Sequence, residues 1–218
     1  MRIQPGVRRI IEGLPPKVNI LDLGCGNGEL ACELVKRNYS GRYVGVDSNQ
    51  ELLSIAAASV ETCVSPETVL KVTFIEVDIS SSDWSHLIPA PPFETVFAFA
   101  VIHHLPESAI RNTLFREIRH FLSPGGLFCH SEWQFLNSER LRKRIIPWEK
   151  VGLSPEQVDP DDYLLDWRRG GEGLRYIHHF KEDELGELAK SNGFCVRRTF
   201  YSDGAEGNLG LYQCWQLR

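Results

Sequence analysis

Leu21-Asp22-Leu23-Gly24-Cys25-Gly26-Asn27-Gly28-Glu29 is an apolar run that breaks into three alternating glycines. The residues before it, from Val18, read as a short buried strand. Those after it, through about Lys36, read as a helix with Leu30, Leu34 and Val35 turned inward. Glycines at such a junction let the backbone turn tightly off a strand and approach a ligand closely. One glycine there can serve turn geometry alone, whereas three behind an acid point to a binding loop. A dinucleotide loop, Gly-x-Gly-x-x-Gly, would place its last glycine at position 29, which is Glu29. Asp22 also disfavours a phosphate and favours a cationic or amino-bearing ligand.

Working outward, Tyr43 to Asp47 reads as a second strand, and Ser48-Asn49 caps a helix running to about Val60. Asp47 closes its strand 19 positions after Gly28, where an acid can bind both hydroxyls of a ribose. Val72 to Val77 is a third strand, ending at Asp78-Ile79. Asp78 can accept from an exocyclic amine and Ile79 can pack on a purine face. The ligand is a nucleoside with a charged tail and no phosphate. Thr95 to Ile102 is a continuous apolar run expected as a central strand, Glu107 to Phe121 a helix, and Leu127 to Glu132 a strand behind the Ser123-Pro124-Gly125-Gly126 turn. A short helix over 3–13 precedes all of this, so little N-terminal cap is expected over the pocket. Residues 134–176 read as irregular. Glu182 to Asn192 is a helix, and Cys195–Tyr201 and Leu209–Leu217 are two strands. Alternating strands and helices specify a doubly wound α/β sheet, with a hairpin at one edge.

The 218 residues, 42% hydrophobic and 24% charged, are globular in composition and exclude a disordered or collagen-like chain. No apolar run suits a membrane span, and Met1-Arg2-Ile3-Gln4-Pro5 lacks the apolar core of a signal peptide. The six cysteines, Cys25, Cys32, Cys63, Cys129, Cys195 and Cys214, are scattered without a Cys-x-x-Cys pair. They suit a reduced, cytoplasmic protein. A net charge of −5 argues against sequence-blind coating of nucleic acid, though not against a local basic patch.

The glycine stretch resembles motif I of the class I S-adenosylmethionine-dependent methyltransferases. Gly45-Val46-Asp47-Ser48 and Val77-Asp78-Ile79 resemble the next two motifs. Phe99 to Leu105, followed by Leu122 to Gly126, resembles the later pair. All five occur in order across about residues 17–132. The resemblance implies a Rossmann-like, seven-stranded sheet, five strands parallel plus a final hairpin, in a single domain spanning 1–218. It also implies S-adenosyl-L-methionine as cofactor. Gly24, Gly26 and Gly28 would line its methionine portion, Asp47 would bind the ribose, Asp78 and Ile79 would frame the adenine, and Ala100 would lie beneath the sulfonium. Asp22, Cys25, Asn27 and Ser48 complete the expected cofactor set.

Methyl transfer to a hydroxyl usually needs a base, whereas a carboxylate is already ionised at pH 7. His103 is the candidate catalytic residue, as a base or an acceptor contact, and the alternative is a strand-end packing pair with His104. No metal centre is expected, because His103-His104 and His178-His179 bring no carboxylate at suitable spacing. Residues 134–180 are expected to form an inserted acceptor lid. Trp133, Trp148 and Trp167 interleave with Arg168, Arg169 and Arg175 as a possible stacking surface. Arg140, Arg142, Lys143 and Arg144 form either a local basic patch or the solvated face of an amphipathic lid helix. The C-terminal third resembles the tRNA wobble-uridine carboxymethyl methyltransferases. It does so through Asp166-Trp167, Leu174 to Phe180, Glu184-Leu185, Tyr201-Ser202-Asp203 and Gly207-Asn208, with Ile177 in place of that family's tyrosine. By that resemblance Arg175 and His178 would orient an acceptor carboxylate, Trp167 would shape its pocket with Trp133 nearby, and a small activator subunit would be a partner. Three readings follow: an O-methyltransferase of a small carboxylate or hydroxyl acceptor, a tRNA carboxylate methyltransferase, and a non-catalytic cofactor-binding interaction protein.

Overall fold

The computed structural model describes residues 3–89, 91–167 and 173–218. Its first half alternates as expected: α1 (Pro5–Ile11), β1 (Ile20–Leu23), α2 (Glu29–Lys36), β2 (Gly41–Asp47), α3 (Gln50–Glu61), β3 (Leu70–Glu76), β4 (Phe93–Phe99), α4 (Ser108–Phe121) and β5 (Leu122–Trp133). After β5 come α5 (Glu139–Arg142), β6 (Ile145–Ile146), β7 (Asp162–Trp167), β8 (Gly173–His178), α6 (Glu182–Ser191), β9 (Phe194–Ser202) and β10 (Gly210–Leu217).

Seven strands form one sheet in the order β3-β2-β1-β4-β5-β10-β9. β1 to β5 pair in parallel, and β10 runs antiparallel to both β5 and β9. This is the Rossmann-like sheet with its C-terminal antiparallel hairpin. Adjacent residues on a strand face opposite sides. Leu21, Val44 and Val96 therefore join Phe115, Ile118, Leu185 and Trp215 under α4 and α6. Ile20, Tyr43 and Phe97 join Ile10, Ile11, Leu30 and Leu34 under α1 and α2. The strand order reverses between β1 and β4, which opens a crevice at their carboxyl ends.

Two expectations are corrected. The β4 strand ends at Phe99, and the apolar run continues instead as a single 3-10 turn, Ile102–His104. The segment after β5 is more regular than expected, and its helix is the single turn α5, with Leu141 buried and Arg140 and Arg142 exposed. β6, β7 and β8 form a separate antiparallel sheet with its own small core of Phe135, Leu141, Leu165 and Ile177. The sheet is pinned to α4 by Arg111, a buried guanidinium. It donates to the Leu105 carbonyl at 3.0 Å, to the Tyr176 hydroxyl at 3.0 Å and to Asp159 at 3.0 Å.

Candidate active site

The glycines after β1 are required for different reasons. All three have positive φ: +71° at Gly24, +54° at Gly26 and +75° at Gly28. A Cβ at Gly24 would land on Val101, and one at Gly28 would lie 2.7 Å from the Ala56 Cβ. Those two positions are cleared for packing against the turn after β4 and against α3. A Cβ at Gly26 would meet nothing within 4 Å, so Gly26 is where the backbone lies open to a ligand. The loop amides are engaged internally. Gly24 and Cys25 donate to the Val46 carbonyl at 2.8 and 2.9 Å, Gly28 to Cys25 at 3.1 Å, and Gly26 to Asp47 Oδ2 at 2.9 Å. None of these four is free to cradle a phosphate.

Asp47 stands at the tip of β2, with Oδ1 also accepting from the Asn49 amide at 3.0 Å. Asp78 receives the Ser80 amide and hydroxyl at 2.9 and 2.7 Å on Oδ1. Its Oδ2 has no partner among the described residues. Asp47, Ser48, Asp78 and Ile79 line one groove of about 280 Å³ with Gly24, Ala100 and His104. An acid for a ribose, an acid and an apolar face for a base, and a glycine backbone open to a charged tail fit S-adenosylmethionine.

Five expected cofactor residues do not line this groove: Gly26 and Gly28 of the loop, and Asp22, Cys25 and Asn27. Asp22 is buried beneath the loop, where the Tyr43 hydroxyl donates to it. Burial raises its pKa to about 7, against the hydrogen bond from Tyr43. The Cys25 side chain turns inward against Gly45, and burial raises its thiol pKa well above the usual range. Asn27 opens onto a different hollow, with Glu33 and Lys36 of α2 and Ser59 of α3.

A second cavity, of about 390 Å³, adjoins the groove and shares Ala100 and His104 with it. Ala100 has a φ of +57°, a left-handed conformation that a non-glycine residue seldom adopts. Its amide is held by the Ser131 carbonyl and hydroxyl at 3.1 and 3.0 Å. His103, Trp133, Trp167 and Arg175 line this cavity together, as expected from sequence. The Arg175 guanidinium carbon lies 3.5 Å from the centre of the Trp167 ring. Arg175 makes no ion pair with a described residue, and burial lowers its pKa. Arg168 and Arg169 of the expected stacking surface lie outside the described residues. Trp148 packs near Tyr176, 6.5 Å between ring centres, rather than in the cavity.

His178 does not reach this cavity, which corrects the expectation that it binds acceptor. Its Nδ1 lies 2.7 Å from Asp162 and its Nε2 2.8 Å from Glu184. Burial opposes its protonation, but the bonds to Asp162 and Glu184 prevail and raise its pKa. The ring bridges β7, β8 and α6. Sequence reasoning also missed Gln4, Glu132, Asp203 and Tyr212 as cavity residues. Gln4 and Asp203 both receive the Tyr212 hydroxyl, and Asp203 also receives the Gly6 amide at 3.0 Å. The N-terminal segment thus contributes to the cavity wall, contrary to expectation.

Residues 20–126 match the family model described as a methyltransferase domain. With the groove geometry, that match decides the family. The chain carries a class I S-adenosylmethionine-dependent methyltransferase domain. A trans-aconitate 2-methyltransferase of Azoarcus is 34% identical over 116 residues, covering 53% of this chain and 39% of that protein. A sterol 24-C-methyltransferase of Gibberella zeae is 30% identical over 172 residues, covering 77% and 42%. The chain therefore spans less than half the length of these two curated relatives. The crystal structure of a Methanosarcina mazei S-adenosylmethionine-dependent methyltransferase superposes with a TM-score of 0.72 at 22% identity. It covers 100% of this chain and 99% of that one, a likeness of fold. The matched segment ends at residue 126, within β5, so the β6-β7-β8 sheet lies beyond it.

Proposed function

We propose that the protein transfers a methyl group from S-adenosylmethionine to an oxygen of a small carboxylate acceptor. The observation that carries this is Arg175, a cation with no ion pair among the described residues, lying against Trp167 in a cavity that meets the cofactor groove at Ala100. S-adenosylmethionine supplies a methyl group on a sulfonium, already an excellent leaving group. The protein's task is therefore orientation and exclusion of water. Asp47 holds the ribose, and Asp78 and Ile79 hold the adenine. Arg175 aligns the acceptor carboxylate, and a guanidinium suits that role because its planar donors match a carboxylate. The β6-β7-β8 sheet, with Trp133, acts as the lid that keeps the cavity dry. The carboxylate chemistry in the name of the Azoarcus relative supports this reading.

A tRNA acceptor draws less support. Lys143 is paired with Glu139 at 2.7 Å and Arg144 with Asp166 at 2.7 Å. That leaves Arg140 and Arg142 as the cations of the expected patch with no ion pair among the described residues. The test is label transfer from tritiated S-adenosylmethionine to a low-molecular-weight extract and, separately, to bulk tRNA. Base-labile label in the small-molecule pool is expected. Label in tRNA would replace this reading with the tRNA one, base-stable label would exclude an ester, and no label in either would favour a non-catalytic role.

A further inference from the structure

His103 is one end of a buried chain of three titratable groups, His103, Glu132 and His130, that the proposed reaction does not yet use. His103 and Glu132 are each 1% exposed and His130 is 0% exposed. Glu132 sits between the rings: Oε2 is 2.9 Å from His103 Nδ1 and Oε1 is 2.8 Å from His130 Nδ1. The Trp133 amide donates to His103 Nδ1 at 3.3 Å. His103 lines the acceptor cavity, and with Nδ1 turned to Glu132, Nε2 is the nitrogen left toward it.

We propose that Glu132 is a positioning residue that is itself protonated, and that it holds His103 in the tautomer presenting an Nε2–H donor, not a base, to the acceptor. Resting on the carboxylate reading above, this makes the cavity a two-donor clamp, Arg175 and His103, for an anionic oxygen.

One placement of protons sets no two donors against each other, with the Glu132 hydroxyl at 2.9 Å and the Trp133 amide at 3.3 Å sharing the Nδ1 lone pair of His103. Because the Trp133 amide points at Nδ1, that nitrogen is an acceptor, and His103 carries its proton on Nε2. The Glu132 proton then lies on Oε2 and is donated to Nδ1, while Oε1 accepts from the Nδ1–H of His130. The opposite tautomer would set the His103 Nδ1–H against the Trp133 N–H. Burial pushes the Glu132 carboxyl up, and burial, with Arg175, His178 and His179 nearby, pushes His103 down to about 3. Both shifts favour the neutral forms. On transfer, the acceptor oxygen forms a bond to the methyl carbon as the carbon–sulfur bond breaks. Its electron pair stays on sulfur, so no proton has to move and a base would have nothing to remove.

The test is nitrogen-15 NMR on protein labelled at histidine, with the His103 signals identified by their loss in His103→Asn. Nδ1 bare and Nε2 protonated between pH 6 and 8 is expected, and a protonated Nδ1 would overturn the proposal. Glu132→Gln supplies a second readout, because an amide reproduces a protonated carboxyl: its NH₂ donates to Nδ1 and its oxygen accepts from His130. The tautomer should persist in this variant, and turnover of the labelled acceptor should stay within about tenfold of the native protein. A loss on the order of 10⁴-fold is the size seen when an ionised carboxylate orienting a histidine base is made an amide, and it would overturn the proposal. If the tautomer holds but no carboxylate takes label, the acceptor reading fails while the proton arrangement stands.

Discussion

The Arg175 guanidinium carbon lies over the Trp167 ring, 3.5 Å from its centre, and both side chains line the cavity. Stacking of this kind fixes the plane of the guanidinium without neutralising it. Arg175→Lys keeps the charge but loses both the stacking and the paired donors. Loss of a charge-assisted bond costs about 1.5–3 kcal/mol, so kcat/KM for the acceptor should fall roughly ten- to hundredfold in Arg175→Lys. Calorimetry should show cofactor affinity unchanged. Parallel loss of both would mark Arg175 as a structural residue.

Asp47 holds the Gly26 and Asn49 amides and lines the groove, where by the proposed reading it would meet a ribose. Asp47→Ala should weaken cofactor binding by about 1.5–3 kcal/mol or more. Unchanged affinity in a titration calorimeter would remove Asp47 from the binding site.

Gly26 and Gly28 separate binding from stability. In Gly28→Ala the new methyl meets Ala56 at 2.7 Å, an overpacking that costs about 1–3 kcal/mol and should lower Tm by several degrees. In Gly26→Ala the methyl enters open space, so the thermal penalty should be the smaller of the two. Cofactor affinity should fall more for Gly26→Ala than for Gly28→Ala, which paired melting and binding curves would check.

His178 makes the attachment of the β6-β7-β8 sheet to α6 dependent on pH. Its folded-state pKa is raised above 6.5, so its contribution to stability is complete below that value. The contribution is lost as pH rises through the folded pKa. Urea unfolding of the native protein and of His178→Gln should differ most near pH 6 and converge as the solution becomes alkaline. A gap that widens with pH would contradict the Asp162–His178–Glu184 bridge.

The doubly wound sheet was legible because its signals are local. The glycines, the aspartates at the ends of β2 and β3, and the apolar run of β4 each declare themselves within a few residues. The β6-β7-β8 sheet was not legible, because Leu164 and Leu165 are both buried and give no alternation. Its pairing with Leu174 to His178 also depends on contacts across a loop. His178 illustrates the same limit: its partners lie 16 and 6 residues away, so the side chain reads as a free ligand until the fold brings them in. Glu132 carried a signal that could have been used. His130 and Glu132 alternate on one strand and so share a face, which placed two titratable groups side by side in an otherwise apolar strand. The Gln4–Tyr212 contact joins residues 208 apart in the chain, and no local pattern announces it.

Ala100 and His104 belong to both the groove and the cavity, so the two ligands would meet across a wall of two residues. Thermodynamic reciprocity then ties their affinities together: whatever factor the acceptor imposes on cofactor binding, the cofactor must impose on the acceptor. A carboxylate held by Arg175 near a sulfonium is an attraction between opposite charges. The spent cofactor, which has lost that positive charge, offers none. The same two-residue wall that brings the reactants together therefore weakens the hold on the products once the methyl group has crossed.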